Sequence, residues 1–265
     1  MQIQGNDKVI DELLTGKDEV IFNLIQLIRA QQGACLYTDG KSYLAAQSGM
    51  DLPLWLYVAP REGEKSEREI FDLLSRATEK VGRLSVNAKE EFAGKLLTRF
   101  AERNGFTLTK RNPMNVYAVK EVNSVPPVGR MIAPSEEHEV TVAILIQQAA
   151  ADDNDRVLTE EQAIQFASVH LNTGNLYLWE DGAVVSMARV VYYGKYARIT
   201  SVVTERASRG KGYAKMLVGE LAERMLKKGL IPVLYARSEN PSSNRCYQGL
   251  GFEKAGEVTE FKLER

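Results

Sequence analysis

Residues 199–214 read ITSVVTERASRGKGYA. Ile199 to Val203 is a short apolar, β-branched run of the kind that makes a buried strand. From Tyr213 onward, apolar residues recur at 213, 216, 217, 221, 225 and 226, a helical spacing. A strand therefore feeds a helix. The connection holds Arg209, Gly210, Lys211 and Gly212, and its glycines let the backbone turn tightly with N–H groups aimed at a common point. The first N–H groups of a helix lack internal partners and sit at the positive end of its dipole, so this junction suits phosphate oxygens. Arg209 and Lys211 add charge. The P-loop pattern G-x-x-x-x-G-K-[ST] is absent, and the dinucleotide pattern G-x-G-x-x-G fails from Ala214 onward. The junction does match R-x-x-G-x-A at Arg209, Gly212 and Ala214.

After the helix, which reaches Lys228, Gly229 precedes Ile231 to Ala236, an apolar run short enough to be a buried strand parallel to Tyr196–Thr204. Residues 240–252 then read NPSSNRCYQGLGF. Pro241 or Ser242 opens a short helix that stops at Gly249 and Gly251. On it Asn240, Ser243, Asn244 and Tyr247 share one polar face. Two amides, a hydroxyl and a phenol suit a ligand with a phosphate, an amide chain and a group that needs a proton; the plainer reading is a polar surface face.

Together these segments resemble the two signature regions of the GCN5-related N-acetyltransferases, the GNAT superfamily. R-x-x-G-x-A is similar to its pyrophosphate motif, and N-P-x-S-N-x-x-Y-x-x-L-G-F, one helix and one strand later, to its second region. The resemblance covers residues 129–265 in element order, and the whole chain resembles a bacterial subgroup in which a degenerate GNAT-like half precedes the active one. It implies a mixed α/β fold in two copies. Each half has a mixed, largely antiparallel sheet with a central, splayed parallel pair flanked by helices. It implies acetyl-CoA as cosubstrate: backbone groups of Ser201, Val202 and Val203 on the pantetheine amides, loop N–H groups from Arg209, Gly210, Lys211, Gly212, Tyr213 and Ala214 on the pyrophosphate, and Asn240, Ser243 and Asn244 along the arm and the nucleotide side. Tyr247 is the implied acid beside the coenzyme sulfur, and the Val203 N–H polarises the acetyl carbonyl. The expected reaction is direct acetyl transfer to a primary amine of a small molecule or peptide. A non-catalytic acyl-CoA-binding sensor or interaction module is the alternative. Glu205 and Arg206 stand where relatives often carry prolines, and the strand 197–203 lacks the carboxylate that some relatives use as a base. Glu180, Glu239 and an ordered water remain candidates for that role.

The 265 residues favour two domains, and 44% hydrophobic with 26% charged residues describes an ordinary globular chain. Lys plus Arg total 34 against 35 for Asp plus Glu, so the net charge of −1 offers no field for nucleic acid or anionic membrane. The start MQIQGNDKVIDELL has no apolar core of a secretory signal, no run approaches membrane-spanning length, and a cytoplasmic monomer or homodimer is expected. Cys35 and Cys246 are too few for a disulfide framework, Cys246 reads as a small buried apolar residue, and His138 and His170 sit without a ligand cluster, so no metal is expected.

In the first half, 7–14 and 18–30 read as helices, the second capped by Asp18. A hairpin turns at Asp39-Gly40 between 34–38 and 41–47. A strand at 54–58, a helix at 64–81, a strand at 83–87, a helix at 88–104 ended by Gly105, and strands at 108–110 and 115–119 follow. The loop APREGEKSE after 54–58 has no R-x-x-G-x-A, so this half is expected to lack the phosphate cradle. Pro126, Pro127 and Gly129 mark the boundary, giving domains 1–128 and 129–265. The second half reads as a strand at 130–133, helices from Pro134 and from Thr159, a hairpin about 180–182, and the strand-loop-helix above.

Overall fold

A computed structural model describes residues 2–5, 7–60, 63–79, 81–152 and 157–265. Its first elements are β1 (Gln2–Ile3), α1 (Val9–Leu13), α2 (Lys17–Ile21), α3 (Leu24–Arg29), β2 (Cys35–Thr38), β3 (Tyr43–Gln47), β4 (Leu54–Val58), α4 (Glu64–Thr78), β5 (Arg83–Ala88), α5 (Glu90–Asn104), β6 (Thr107–Lys110) and β7 (Met114–Ala118). The helix expected over 18–30 is two helices. Buried Asn23 turns its side-chain amide onto the Val20 carbonyl at 2.6 Å, and such local bonding competes with the helical ladder. Gly16, with no side-chain bond, stands at the cap of α2 where Asp18 was expected. The hairpin loop is also longer than two residues. Asp39 Oδ1 accepts from the N–H groups of Lys41, Ser42 and Tyr43, so the carboxylate organises the turn itself. Arg61 and Glu62 of the APREGEKSE loop lie outside the described residues.

β4 is buried at all five positions, as befits a strand covered on both faces. It pairs antiparallel with β3 and parallel with β5, from Leu54↔Val86 to Leu56↔Ala88. α4 and α5 bring Ile70, Leu74, Leu97 and Phe100 into one core with Leu56 and Val86. Each such side chain contributes about 1.5–3 kcal/mol by leaving water.

The chain continues through β8 (Arg130–Ile132), a 3-10 turn at Glu136–His138, α6 (Glu139–Asp152), α7 (Glu160–Leu171), β9 (Leu176–Asp181), β10 (Ala183–Tyr193), β11 (Tyr196–Thr204), α8 (Tyr213–Lys227), β12 (Ile231–Arg237), α9 (Pro241–Gln248) and β13 (Glu253–Glu264). Thr159 and Gln162 form the capping box that opens α7. β8 to β11 form an antiparallel run, and β11 pairs parallel with β12. Val142, Leu145, Ala163 and Ala167 of α6 and α7 pack on Leu178, Met187 and Val203 of that sheet.

Two compact units result. One holds the chain up to Val116 with Ala236–Asn240 and Lys254–Arg265; the other holds Tyr117–Tyr235 with Pro241–Glu253. This division differs from an uninterrupted break at 128/129. β13, which the sequence reading did not delineate, pairs with β5 from Thr259↔Ala88 to Glu264↔Arg83 and with β6 from Phe261↔Lys110 to Glu264↔Thr107. Phe261 and Leu263 fill the first unit's core, and that burial decides where the strand belongs.

Candidate functional site

In the second unit, the residues expected to form the cradle lie on β11 and at the start of α8. Met187 faces Val203 while Arg189 faces Thr200, so two steps on β10 oppose three on β11. That is a β-bulge, and Ser201 absorbs it with a φ of 51°. A serine held there costs about 1–3 kcal/mol, a strain the surrounding pairing must overcome. The β11–β12 register runs from Tyr196↔Ile231 to Arg198↔Val233, whereas the strands continue to Thr204 and Arg237. They therefore splay beyond Arg198. The Ser201 side chain is exposed and that of Val202 is half-buried, while Val203 packs into the α6–α7 core and its carbonyl accepts from Ser186 Oγ at 2.8 Å.

Beyond β11, Glu205 caps a 3-10 turn at Arg206–Ser208 by accepting from the Ala207 N–H at 3.0 Å. Gly212 stands at the cap of α8 with φ 88° and ψ 4°, and no side chain bonds to that helix end. The first turn of α8 thus presents N–H donors beside exposed Gly210, Lys211 and Gly212. Side chains depart from the simplest expectation. Tyr213 is buried and its hydroxyl donates to Asp181, so only its backbone faces the loop, and Ala214 is half-buried. The Arg209 guanidinium donates to the Thr204 carbonyl at 3.1 Å and pairs with Asp152 at 2.6 Å. Arg206 holds the other oxygen of Asp152 at 2.9 Å. Partial burial works against that carboxylate, but the two arginines keep its pKa below the ordinary value. Asp152 was not singled out from sequence; it stands at the end of a helix far from the loop in the chain, and nothing local marks it.

The α9 residues are not a solvated stripe. Asn240 precedes the helix, is exposed, and lies in the segment that belongs to the first unit. Asn244 and Tyr247 are buried, and Ser243 is half-buried. Tyr117 donates its hydroxyl to Asn244 Oδ1 at 2.8 Å, which fixes the amide within the protein. The Tyr247 ring packs near Tyr117 and Phe252, at centroid distances of 6.3 and 6.2 Å. Burial raises the Tyr247 phenol pKa, the Cys246 thiol adds to the rise, and a hydrogen bond with Ser243 opposes it. Tyr247 therefore keeps its proton well above neutral pH. Burial likewise pushes Cys246 up to about 11, an inert thiol rather than a nucleophile.

Both carboxylates considered as bases have partners. Glu180 forms an ion pair with Arg130 at 2.8 Å, and Glu239 accepts from Asn112 within the first unit. His138 caps the 3-10 turn through Ser135. His170 is not isolated: its Nε2 lies 3.4 Å from Arg189 Nη1. Among the described residues, no group of His, Cys, Asp and Glu has metal-site geometry.

Residues 143–252, which span the α6–α7 layer, the bulge, the cradle and α9, match the acetyltransferase (GNAT) family model. That stretch is similar to a GNAT acetyltransferase domain. No curated protein matches the sequence. Among solved structures, a GNAT-family acetyltransferase from Colwellia psychrerythraea superposes with TM-score 0.56 at 16% identity, covering 100% of this chain and 99% of that one. A GCN5-related N-acetyltransferase from Sphaerobacter thermophilus gives 0.61 at 14%, covering 97% and 91%. A tandem GNAT protein from the clavulanic acid biosynthesis pathway gives 0.55 at 14%, covering 99% and 97%. These likenesses establish the mixed α/β GNAT fold, and family and fold support acetyl transfer as the general chemistry. No helix among the described residues is long and apolar enough to cross a membrane.

Proposed function

We propose that the second unit is an N-acetyltransferase that moves an acetyl group from acetyl-CoA to a primary amine by direct attack. The observation that carries this reading is the continuous run from the Ser201 bulge, where β11 leaves β12, to the uncapped N-terminus of α8 at Gly212. The bulge leaves main chain for amide groups, and the helix start leaves N–H donors for phosphate, so the residues fit acyl-coenzyme A. Ser201, Val202 and Val203 hold the pantetheine arm, and the backbone from Arg209 to Ala214 holds the pyrophosphate. Ser243 lies beside the arm, and Asn244 contributes by fixing Tyr117 and α9. Arg209 must exchange Asp152 for phosphate to add its charge.

Bound there, acetyl-CoA supplies an activated thioester. The Val203 N–H polarises its carbonyl as an oxyanion donor does. The attacking amine has to be neutral, and an alkylammonium has a pKa of about 10.4, so a base or ordered water removes its proton. Glu180 serves only if it leaves Arg130. Tyr247 gives its proton to the departing sulfur. The first unit, lacking the glycine motif in its corresponding loop, is read as a degenerate copy kept for packing. The protein is read as cytoplasmic, and as a monomer or homodimer. The test is release of free thiol from acetyl-CoA with a panel of polyamines, aminoglycosides, amino acids and peptides. Tight acetyl-CoA binding with no thiol release for any amine would favour an acyl-CoA sensor instead.

A further inference from the structure

β10 and β11 bring two arginines to the face of the sheet that carries Met187 and Val203. Arg189 lies opposite Thr200, and Arg198 lies opposite Val191, one residue pair further along the same face. Arg198 stacks over the Tyr235 ring at 5.1 Å. Arg189 reaches His170 Nε2 at the end of α7. Neither arginine has a carboxylate partner among the described residues. The Nε atoms of both, and Nδ1 of His170, are buried without a hydrogen-bond partner. Because Arg189 donates toward Nε2, the neutral imidazole carries its proton on Nδ1. All three unmet groups are therefore donors. Burial lowers the pKa of Arg189, and the charge of Arg198 lowers it further; burial and Arg189 do the same to His170. All three side chains are half-buried with those nitrogens inside; charge taken out of water is normally paired, and a donor-only cluster lacks the anion that would compensate it.

The coenzyme does not supply that anion. Its phosphates are assigned to the loop after Thr204, six residues past Arg198, or about 20 Å along a strand. We propose that His170, Arg189 and Arg198 form a subsite for an oxyanion, carboxylate or phosphate, carried by the amine acceptor. This rests on the acetyltransferase reading and narrows its substrate class. Each guanidinium offers a planar fork that fits either oxyanion, and the same charge repels an ammonium. The acceptor thus binds acid end first and presents its amine toward Val203, roughly 7–10 Å along β11 from Thr200, so several bonds separate amine and acid.

The test compares acceptors of matched chain length: 5-aminopentanoate, 4-aminobutyl phosphate and pentylamine. One or both acidic amines should be acetylated with kcat/KM about 10-fold or more above pentylamine, as expected when charged hydrogen bonds are lost with the acid group, and the better of the two identifies the oxyanion. Arg189→Gln and Arg198→Gln should each collapse this ratio through KM, with acetyl-CoA affinity retained as the sign of a folded coenzyme side. Arg189→Lys, which keeps charge but not the fork, should retain part of the preference. Equal use of pentylamine, or an unchanged ratio in both glutamine variants, overturns the subsite. If no amine is acetylated, the acetyltransferase reading fails. Calorimetry with pentanoate and butyl phosphate on the whole protein then decides the subsite separately, and absence of binding to both overturns it.

Discussion

Gly212 separates what the fold needs from what the coenzyme needs. At φ 88°, alanine occupies a left-handed conformation that costs about 1–2 kcal/mol, partly offset by about 0.4–1 kcal/mol of unfolded-state entropy. Its Cβ meets only Met216 Cε, at 3.7 Å, so the protein itself does not crowd it. Gly212→Ala should therefore cost about 1 kcal/mol of stability, and Gly212→Val more because it is β-branched. The coenzyme effect is larger. In the proposed site a side chain at the cap would stand where phosphate oxygens approach the α8 N–H groups, and losing one charge-assisted bond worth about 1.5–3 kcal/mol would weaken binding roughly 10- to 150-fold. Gly229→Ala is the control: φ is 73°, nothing lies within 4 Å, and it follows α8 instead of opening it. It carries the same backbone cost without touching phosphate. Calorimetric titration of acetyl-CoA into wild type and the three variants, with thermal melts alongside, measures both quantities. Wild-type affinity in folded Gly212→Val, or equal loss in Gly229→Ala, would refute the cradle.

Tyr247→Phe should keep the acetyl-CoA dissociation constant while lowering turnover about 100- to 10,000-fold; turnover within about threefold of wild type would assign the proton elsewhere. Asp152→Asn frees Arg206 and Arg209 from their shared carboxylate and should tighten acetyl-CoA binding a few-fold at low salt, since exposed pairs are worth about 0–1 kcal/mol; weaker binding would show that Asp152 supports the loop instead of competing with it. Asp39 should contribute to acid unfolding. Burial opposes its ionisation, but the N–H groups of Ser42 and Lys41, the Ser66 hydroxyl and the Tyr43 N–H bring its pKa down to about 2. Its folded-state pKa is the lower one, so its stabilisation is present above the ordinary aspartate value of about 3.9 and is lost as pH falls toward 2. The difference in melting temperature between wild type and Asp39→Asn should shrink across that window; a constant difference would contradict the linkage.

Elements whose pattern is local were legible in the sequence. Leu54–Val58, Tyr196–Thr204 and the α8 junction each advertise themselves through apolar spacing and glycine within a dozen residues or so, and the structure places them as read. What escaped depends on partners distant in sequence. The Asn23 break in the 18–30 helix requires knowing that the amide is buried and turned back to Val20. The placement of β13 requires the core formed by Phe261 and Leu263 with the first unit. Asn244 read as ligand-facing because its helical neighbours are polar, yet its oxygen is taken by Tyr117, whose own phenol carries no sign of that role in the sequence. Arg189 and Arg198 are scattered charges until strand register places them on one face, where Arg189 also reaches His170 on α7.

The burial of Tyr247 sharpens what its chemistry can be. A coenzyme thiol resembles cysteine, with a pKa of about 8.5, whereas an ordinary phenol stands near 10 and burial raises this one further. Complete proton transfer from phenol to free thiolate is therefore uphill in the resting protein. Two physical effects reduce that gap as the bond to sulfur breaks. A departing sulfur placed beside this buried phenol would itself be harder to hold as an anion than in water, so its proton affinity would rise with the same desolvation that raised the phenol. The Ser243 contact favours the phenolate and moves the donor in the opposite direction. If Tyr247 is the acid proposed above, its burial would keep the proton on the phenol until negative charge develops on sulfur, and the Ser243 contact would favour its release. By the same reasoning Ser243→Ala should slow transfer without weakening acetyl-CoA binding by more than one lost neutral hydrogen bond, about 0.5–1.5 kcal/mol. Single-turnover rates, compared with the dissociation constant, separate the two effects, and a loss confined to binding would return Ser243 to a wall of the arm site.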